Sequence, residues 1–171
     1  MERMDVDVDE CLSFLAYDGP AREVVARLKY RNDRSSLGWL ADGMAGLLVP
    51  PPGVVVTWVP TTRARRHDRG FDQAALLARA VARRWRVAAV DLLHRDDGSP
   101  AQTGRGRAER RQGFGVEARR RLRRPGPVVL VDDVVTTGTT LRCGAEALRA
   151  AGATWVCGLT AAHTPRTRRA S

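Results

Sequence analysis

Several things are scarce in this 171-residue chain, and each shortage excludes a class. The three cysteines (Cys11, Cys143, Cys157) are an odd number without CxxC spacing, which argues against a disulfide framework and against a zinc site. Lysine is nearly absent: of 29 basic residues only Lys29 is not arginine, so the phosphate loop GxxxxGK[ST] is missing and a P-loop nucleotidase is excluded. No run of 18 apolar residues exists, so nothing is expected to span or insert into a bilayer. The first ten residues carry Glu2, Asp5, Asp7, Asp9 and Glu10, the wrong charge for a secretory leader. A soluble, reduced, cytoplasmic protein is expected.

What is present is 43% hydrophobic residues, enough for one core. The expectation is a single domain over 1–171, with an acidic segment at 1–14 and a disordered basic tail at 165–171. Net charge is +10, and its source is local: between Thr61 and Arg124 there are 18 Arg against seven acids, a surplus of +11. Such a field attracts polyanions, whether phosphorylated metabolites, nucleic acid or an acidic protein face. The alternative is that arginine is simply the cation written wherever a solvated charge is tolerated.

Periodicity gives an alternating pattern. Helical spacing runs over Ala21–Tyr30, Leu37–Leu48 (weakened by Gly38, Gly43 and Gly46), Phe71–Trp85 and Leu141–Ala151, the last capped by Gly152. Short apolar runs at Val54–Val59 and Pro127–Val131 read as buried strands, and Val87–Leu93 and Trp155–Ala162 read as two further strands. Arg95–Arg124 is polar and glycine-punctuated, and reads as a mobile functional segment. Strands alternating with helices predict an α/β fold with a mostly parallel central sheet flanked by helices. The four tryptophans (Trp39, Trp58, Trp85, Trp155) fall on elements expected to be buried, as core and not as a base-stacking platform. His67, His94 and His163 show no ligand or base spacing and receive no catalytic role.

The segment Val128–Leu141, VVLVDDVVTTGTTL, carries the chemistry. Four apolar residues run into two carboxylates, Asp132 and Asp133, and a Thr-Gly loop opens a helix. Ligands of parallel sheets bind where strands end and helices begin. A helix amino end suits a phosphate, Thr136, Thr137, Thr139 and Thr140 add hydroxyl donors, and Gly138 lets backbone approach closely. Carboxylates accept from a sugar diol and are hard ligands for Mg²⁺. The combination describes a ribose 5-phosphate site. The plain alternative, threonines that only cap the helix, needs one Thr and not four, and leaves two acids at a buried strand end without purpose.

This segment closely resembles the phosphoribosyl pyrophosphate signature of type I phosphoribosyltransferases. Further stretches are similar to the ComF family of phosphoribosyltransferase-like, competence-associated proteins: Leu15–Pro20 (LAYDGP), Arg27–Arg31 (RLKYR), Trp58–Thr62 (WVPTT) followed by Arg66, Arg69–Gln73 (RGFDQ), Leu76–Ala78 (LLA), Gln102–Gly104 (QTG) and Arg107–Arg111 (RAERR). With the signature they cover roughly Leu15 to Thr164. The chain departs from the family in lacking its cysteine-rich zinc ribbon, in Asp72 where Asn is usual, in Arg105-Gly106 where Leu-Ser is usual, and in Gly113-Phe114 displacing an Asn-Val pair.

The resemblance implies a type I phosphoribosyltransferase-like fold that binds phosphoribosyl pyrophosphate with Mg²⁺ and transfers its ribose 5-phosphate to an unidentified base or amine, in a DNA-uptake setting. Asp132 and Asp133 would be catalytic and would share Mg²⁺ with the substrate, since no protein cluster holds a metal. Thr136, Thr137, Gly138, Thr139 and Thr140 would form the 5-phosphate loop. Pro60, Thr61, Thr62, Arg66 and Arg69 would take pyrophosphate, with Arg preferred for its planar fork. Pro60 also reads as a simple strand terminator. Gln102, Arg107, Arg110 and Arg111 would belong to a mobile loop closing over the site; the three arginines equally fit contact with DNA or with solvent alone. The competing reading is a non-catalytic factor that holds single-stranded DNA or a DNA-uptake motor protein and reuses the sugar-phosphate site as a sensor.

Overall fold

The computed structural model describes residues 2–3, 8–19, 23, 34–62, 71–95 and 115–165. In chain order the elements are β1 (Glu2–Arg3), β2 (Glu10–Ala16), α1 (Arg34–Ala45), β3 (Val55–Trp58), α2 (Gln73–Trp85), β4 (Ala88–Ala89), β5 (Leu93–Arg95), β6 (Val116–Ala118), β7 (Gly126–Val135), α3 (Thr139–Ala150) and β8 (Ala153–His163). One six-stranded sheet runs in the order β1-β2-β8-β7-β3-β4, parallel throughout except for β1, which is antiparallel to β2 at the edge. β5 and β6 form a separate antiparallel pair.

Alternation along β7 builds two cores. Side chains of a strand point to opposite faces in turn. Val129 and Val131 join Leu40, Met44, Leu77 and Val81 under α1 and α2. Val128 and Leu130 join Leu141, Ala145 and Leu148 under α3, with Leu93 and Val116 of the small hairpin. Burial on both faces is why this strand reads as an unbroken apolar run. Gly144 lets α3 lie close to β7, since a Cβ there would stand 2.8 Å from Leu130 Cδ2. Across the other layer, the Arg84 guanidinium joins the helices by pairing with Asp42 and donating to the Gly38 carbonyl at 2.8 Å. Trp85 Nε1 donates to the Ala45 carbonyl at 3.1 Å.

The two connections leaving the centre of the sheet run in opposite directions. β3 passes through α2 to β4 on one side, whereas β7 passes through α3 to β8 on the other. The adjacent carboxyl ends of β3 and β7 are therefore the topological switch point, where such sheets open a crevice.

Several sequence expectations change. The 87–93 run is not one strand: Ala88–Ala89 ends the main sheet while Leu93–Arg95 starts the hairpin. β6 appears within the polar stretch Arg95–Arg124, paired with β5. β2 occupies part of the acidic start, burying Cys11 and Leu12 against β8. β7 continues four residues past the apolar run, through both acids. Trp39 is 49% exposed, not core, and meets the Phe14 ring edge-on at 5.0 Å. Of the helix expected over 21–30, only residue 23 is among the described residues. Among the described residues, no helix is long and apolar enough to cross a membrane.

Candidate functional site

At the end of β7, ladder pairing holds Asp132 opposite Thr160 and Val134 opposite Ala162. Asp132 and Asp133 are both half-buried. Each turns one oxygen onto the next backbone amide: Asp133 N–H donates to Asp132 Oδ1 at 2.8 Å, and Val134 N–H to Asp133 Oδ1 at 2.7 Å. These bonds offset part of the cost of bringing two carboxylates to a strand end. The thiol of Cys11, on β2, is pushed up to about 11, first by burial and then by the Asp132 carboxylate nearby, so it stays protonated beside the acid.

The loop after β7 turns at Gly138, whose φ of 76° is left-handed, and this glycine is the N-cap of α3. No threonine supplies the cap, so the cap-only alternative fails at its own position. Thr137 Oγ1 and Thr139 Oγ1 share a hydrogen bond of 3.0 Å. The first intrahelical bond runs from Arg142 N–H to the Gly138 carbonyl at 2.9 Å. The N–H groups of residues 139–141 thus belong to the unpaired first turn that favours an anion.

At the end of β3, Val59 N–H donates to the Val131 carbonyl at 2.9 Å and zips the two strand ends together. Pro60 is buried, with Thr61 and Thr62 half-buried after it. The Asp72 carboxylate then makes two connections. Its Oδ1 accepts from Ala75 N–H at 3.2 Å as the N-cap of α2, and its Oδ2 accepts from Thr61 N–H at 3.1 Å. One acid therefore ties the β3 loop to the helix that follows.

These parts border one cavity of about 420 Å³ at the switch point. Its wall includes Asp132, Asp133, Thr136 and Thr140 from the β7–α3 side and Val59, Pro60, Thr61, Asp72, Gln73 and Ala74 from the β3–α2 side. Val134 on β7, Tyr17 just after β2, and Arg95 at the end of β5 complete it. Of the expected residues, Thr62, Thr137 and Gly138 in the same loops and Thr139 at the start of α3 do not border the cavity. Arg66, Arg69, Gln102, Arg107, Arg110 and Arg111 lie outside the described residues. Tyr17, Asp72, Gln73 and Arg95 were not assigned from sequence. Asp72 had a local signal, an acid directly before an amphipathic run, while Tyr17 and Gln73 stood inside the family-like stretches LAYDGP and RGFDQ and Arg95 opened the segment expected to be mobile.

The volume suits a small-molecule ligand. A larger hollow of about 550 Å³ between β6 and α3 holds none of these residues, and its charged groups Glu117, Arg120, Arg121 and Glu146 are all exposed. Chemistry, not size, selects the switch-point cavity. For a divalent cation, Asp132 and Asp133 offer the hard oxygen donors that Mg²⁺ takes, but no group of three or more His, Cys, Asp or Glu that could hold a metal occurs among the described residues. The fit is to an ion shared with a substrate's own oxygens.

No family model matches the chain. It is 24% identical over 139 residues to the competence protein ComFC of Bacillus subtilis, covering 80% of this chain and 56% of that protein. Among solved structures it is similar to one titled as the allosteric regulatory enzyme of purine biosynthesis, at 26% identity and TM-score 0.50 over 72% of this chain. It is also similar to the glutamine phosphoribosylpyrophosphate amidotransferase of B. subtilis complexed with ADP and GMP, at 24% identity and TM-score 0.52 over 71% of this chain. The chain spans about a quarter of each of those two structures. The α/β fold is of the type I phosphoribosyltransferase-like kind.

Proposed function

From a chain that is similar to ComFC in sequence and phosphoribosyltransferase-like in fold, we propose a protein that binds phosphoribosyl pyrophosphate with Mg²⁺ and transfers its ribose 5-phosphate to a base or amine, in the context of DNA uptake. The observation that carries this reading is the convergence of Asp132, Asp133, Thr136 and Thr140 with the β3 loop on one cavity. In it, the amino end of α3 takes the 5-phosphate through its first-turn N–H groups and threonine hydroxyls. The acid pair accepts from the ribose hydroxyls. Loss of pyrophosphate builds positive charge on the ribose ring, and carboxylates held in place before the reaction stabilise it without reorganisation. Asp132 and Asp133, together with substrate oxygens, would hold Mg²⁺, whose charge would help neutralise the leaving group.

Titration calorimetry with phosphoribosyl pyrophosphate and Mg²⁺ tests this. Binding is expected for the intact protein, with at least about a tenfold loss in Asp132→Asn/Asp133→Asn. Absence of binding by the intact protein refutes the reading.

A second reading is favoured by one surface feature. Between β6 and β7, Arg119, Arg120, Arg121, Arg123 and Arg124 are all exposed, although Arg119 also pairs with Asp91 at 3.1 Å. This row would hold single-stranded DNA or an acidic motor partner. Anisotropy with a labelled oligonucleotide should then show affinity that falls steeply with salt. Affinity that ignores salt would dismiss it.

A further inference from the structure

Gln73 is a polar residue of the cavity wall whose side-chain Nε2 has no hydrogen-bond partner among the described residues. It is 3% exposed, and its Nε2 is buried. Buried amides are satisfied in the great majority of cases, and an exception that borders a cavity points to a ligand. Gln73 is also the first residue of the 13-residue helix α2, behind the Asp72 cap. The first bond of that helix's backbone runs from Leu76 N–H to the Asp72 carbonyl at 3.1 Å. The N–H groups of Gln73 and Ala74 precede it, and both residues border the cavity. Both Asp72 oxygens meanwhile accept from the backbone, at Thr61 and Ala75.

The cavity therefore has two helix amino ends on its wall, α3 on the β7 side and α2 on the β3 side. A ligand carrying anionic groups at both ends of a sugar matches that pair. We propose that Gln73 is a ligand-contacting residue: its Nε2–H donates to an oxygen of the pyrophosphate group, beside the first-turn N–H groups of α2. This rests on the sugar-diphosphate reading given above. A neutral donor suits the position, because it adds no charge of its own next to Asp72 and needs no counter-ion while the cavity is empty.

Two variants and three probes test it. Gln73→Met keeps the volume and removes the donor; Gln73→Glu places an anion there. Calorimetry with Mg²⁺ compares phosphoribosyl pyrophosphate, inorganic pyrophosphate and ribose 5-phosphate. In Gln73→Met, affinity for the first two is expected to fall about tenfold and that for ribose 5-phosphate to stay unchanged, with a larger loss of the first two in Gln73→Glu. The melting temperature of ligand-free Gln73→Met should match or exceed that of the parent, because an unmet buried donor is gone. A purely structural role predicts the opposite sign. Equal affinity of parent and Gln73→Met for phosphoribosyl pyrophosphate overturns the proposal alone. So does an equal loss for ribose 5-phosphate, or a lower melting temperature. If the parent binds none of the three probes, the sugar-diphosphate reading falls and takes Gln73 with it.

Discussion

The carboxylate of Asp72 performs two tasks with separate oxygens, so they can be separated by substitution. Removing the side chain in Asp72→Ala deletes the N-cap of α2, worth about 1 kcal/mol. It also deletes the acceptor for Thr61 N–H, a hydrogen bond to a charged group worth about 1.5 kcal/mol at this half-buried position. The combined loss of about 2.5 kcal/mol lowers the melting temperature of a chain this size by about 7 °C. Asp72→Asn keeps one acceptor oxygen for Ala75 but turns an NH₂ toward Thr61 N–H, donor against donor. The cap survives and the β3 loop is released, so the expected loss is about 1.5 kcal/mol, or about 4 °C. Because Thr61 borders the cavity, affinity for phosphoribosyl pyrophosphate should fall in both variants, by about tenfold in Asp72→Asn. Thermal unfolding followed by circular dichroism, with calorimetry on the same samples, reads both. Equal destabilisation by Ala and Asn, or a melting point lowered with affinity intact, would show that the acid does not couple helix to loop.

Two further outcomes follow from contacts away from the cavity. A methyl group at Gly43 would overlap the tip of the Phe14 ring, so Gly43→Ala should lose about 1–2 kcal/mol despite the roughly 1 kcal/mol that alanine gains in a helix. Adding Phe14→Leu should cost less than it does alone, and strict additivity in a double-mutant cycle of unfolding free energies would refute the clash. Asp9 accepts from Val156 N–H at 2.7 Å and from Arg149 at 3.1 Å, and the Val156 bond, then Arg149, holds its carboxyl below the usual range. A depressed carboxyl stabilises fully above its unfolded pKa and stops doing so as pH falls through the folded value. With the side chain 38% exposed, about 1 kcal/mol is the ceiling. Asp9→Asn should therefore melt lower at pH 7 and converge on the parent toward pH 3, and a pH-independent gap would refute it.

The parts legible from sequence share one property: their signal is contained in a single stretch of chain. Val128–Val131 announces a strand because neighbours cover both of its faces, and α2 announces itself because Ala74, Leu77, Ala78 and Val81 face the sheet while Arg79 and Arg83 face solvent. The Asp-Asp and Thr-Gly run is legible because strand end, loop and helix amino end succeed one another without a gap. β2 was not, because Glu10 and Ser13 break its apolar run; Ser13 is buried there by pairing with Thr160, far along the chain. β5 and β6 are three residues each, too short for any period, and exist by pairing with each other. Trp39 was expected in the core because its helix was expected to be buried, when its place on that helix decides its exposure.

The same distinction divides the cavity wall. Asp132, Asp133, Thr136 and Thr140 carry their own context, whereas Tyr17, Gln73 and Arg95 reach the cavity through the order of the strands. That order has a chemical consequence. Adjacent residues of a strand diverge, and Asp132 shares its side of β7 with Val128 and Leu130, toward Cys11, whereas Asp133 shares the side of Val129 and Val131, toward α2. The two acids therefore border one cavity from different layers of the sandwich. A lone strand–loop–helix segment could present the Thr-Gly cradle, but it would leave Asp133 without the α2 wall that makes its side of the strand part of the site. The Asp-Asp and Thr-Gly segment supplies the polar groups, and the switch between β3 and β7 brings both carboxylates to a common cavity.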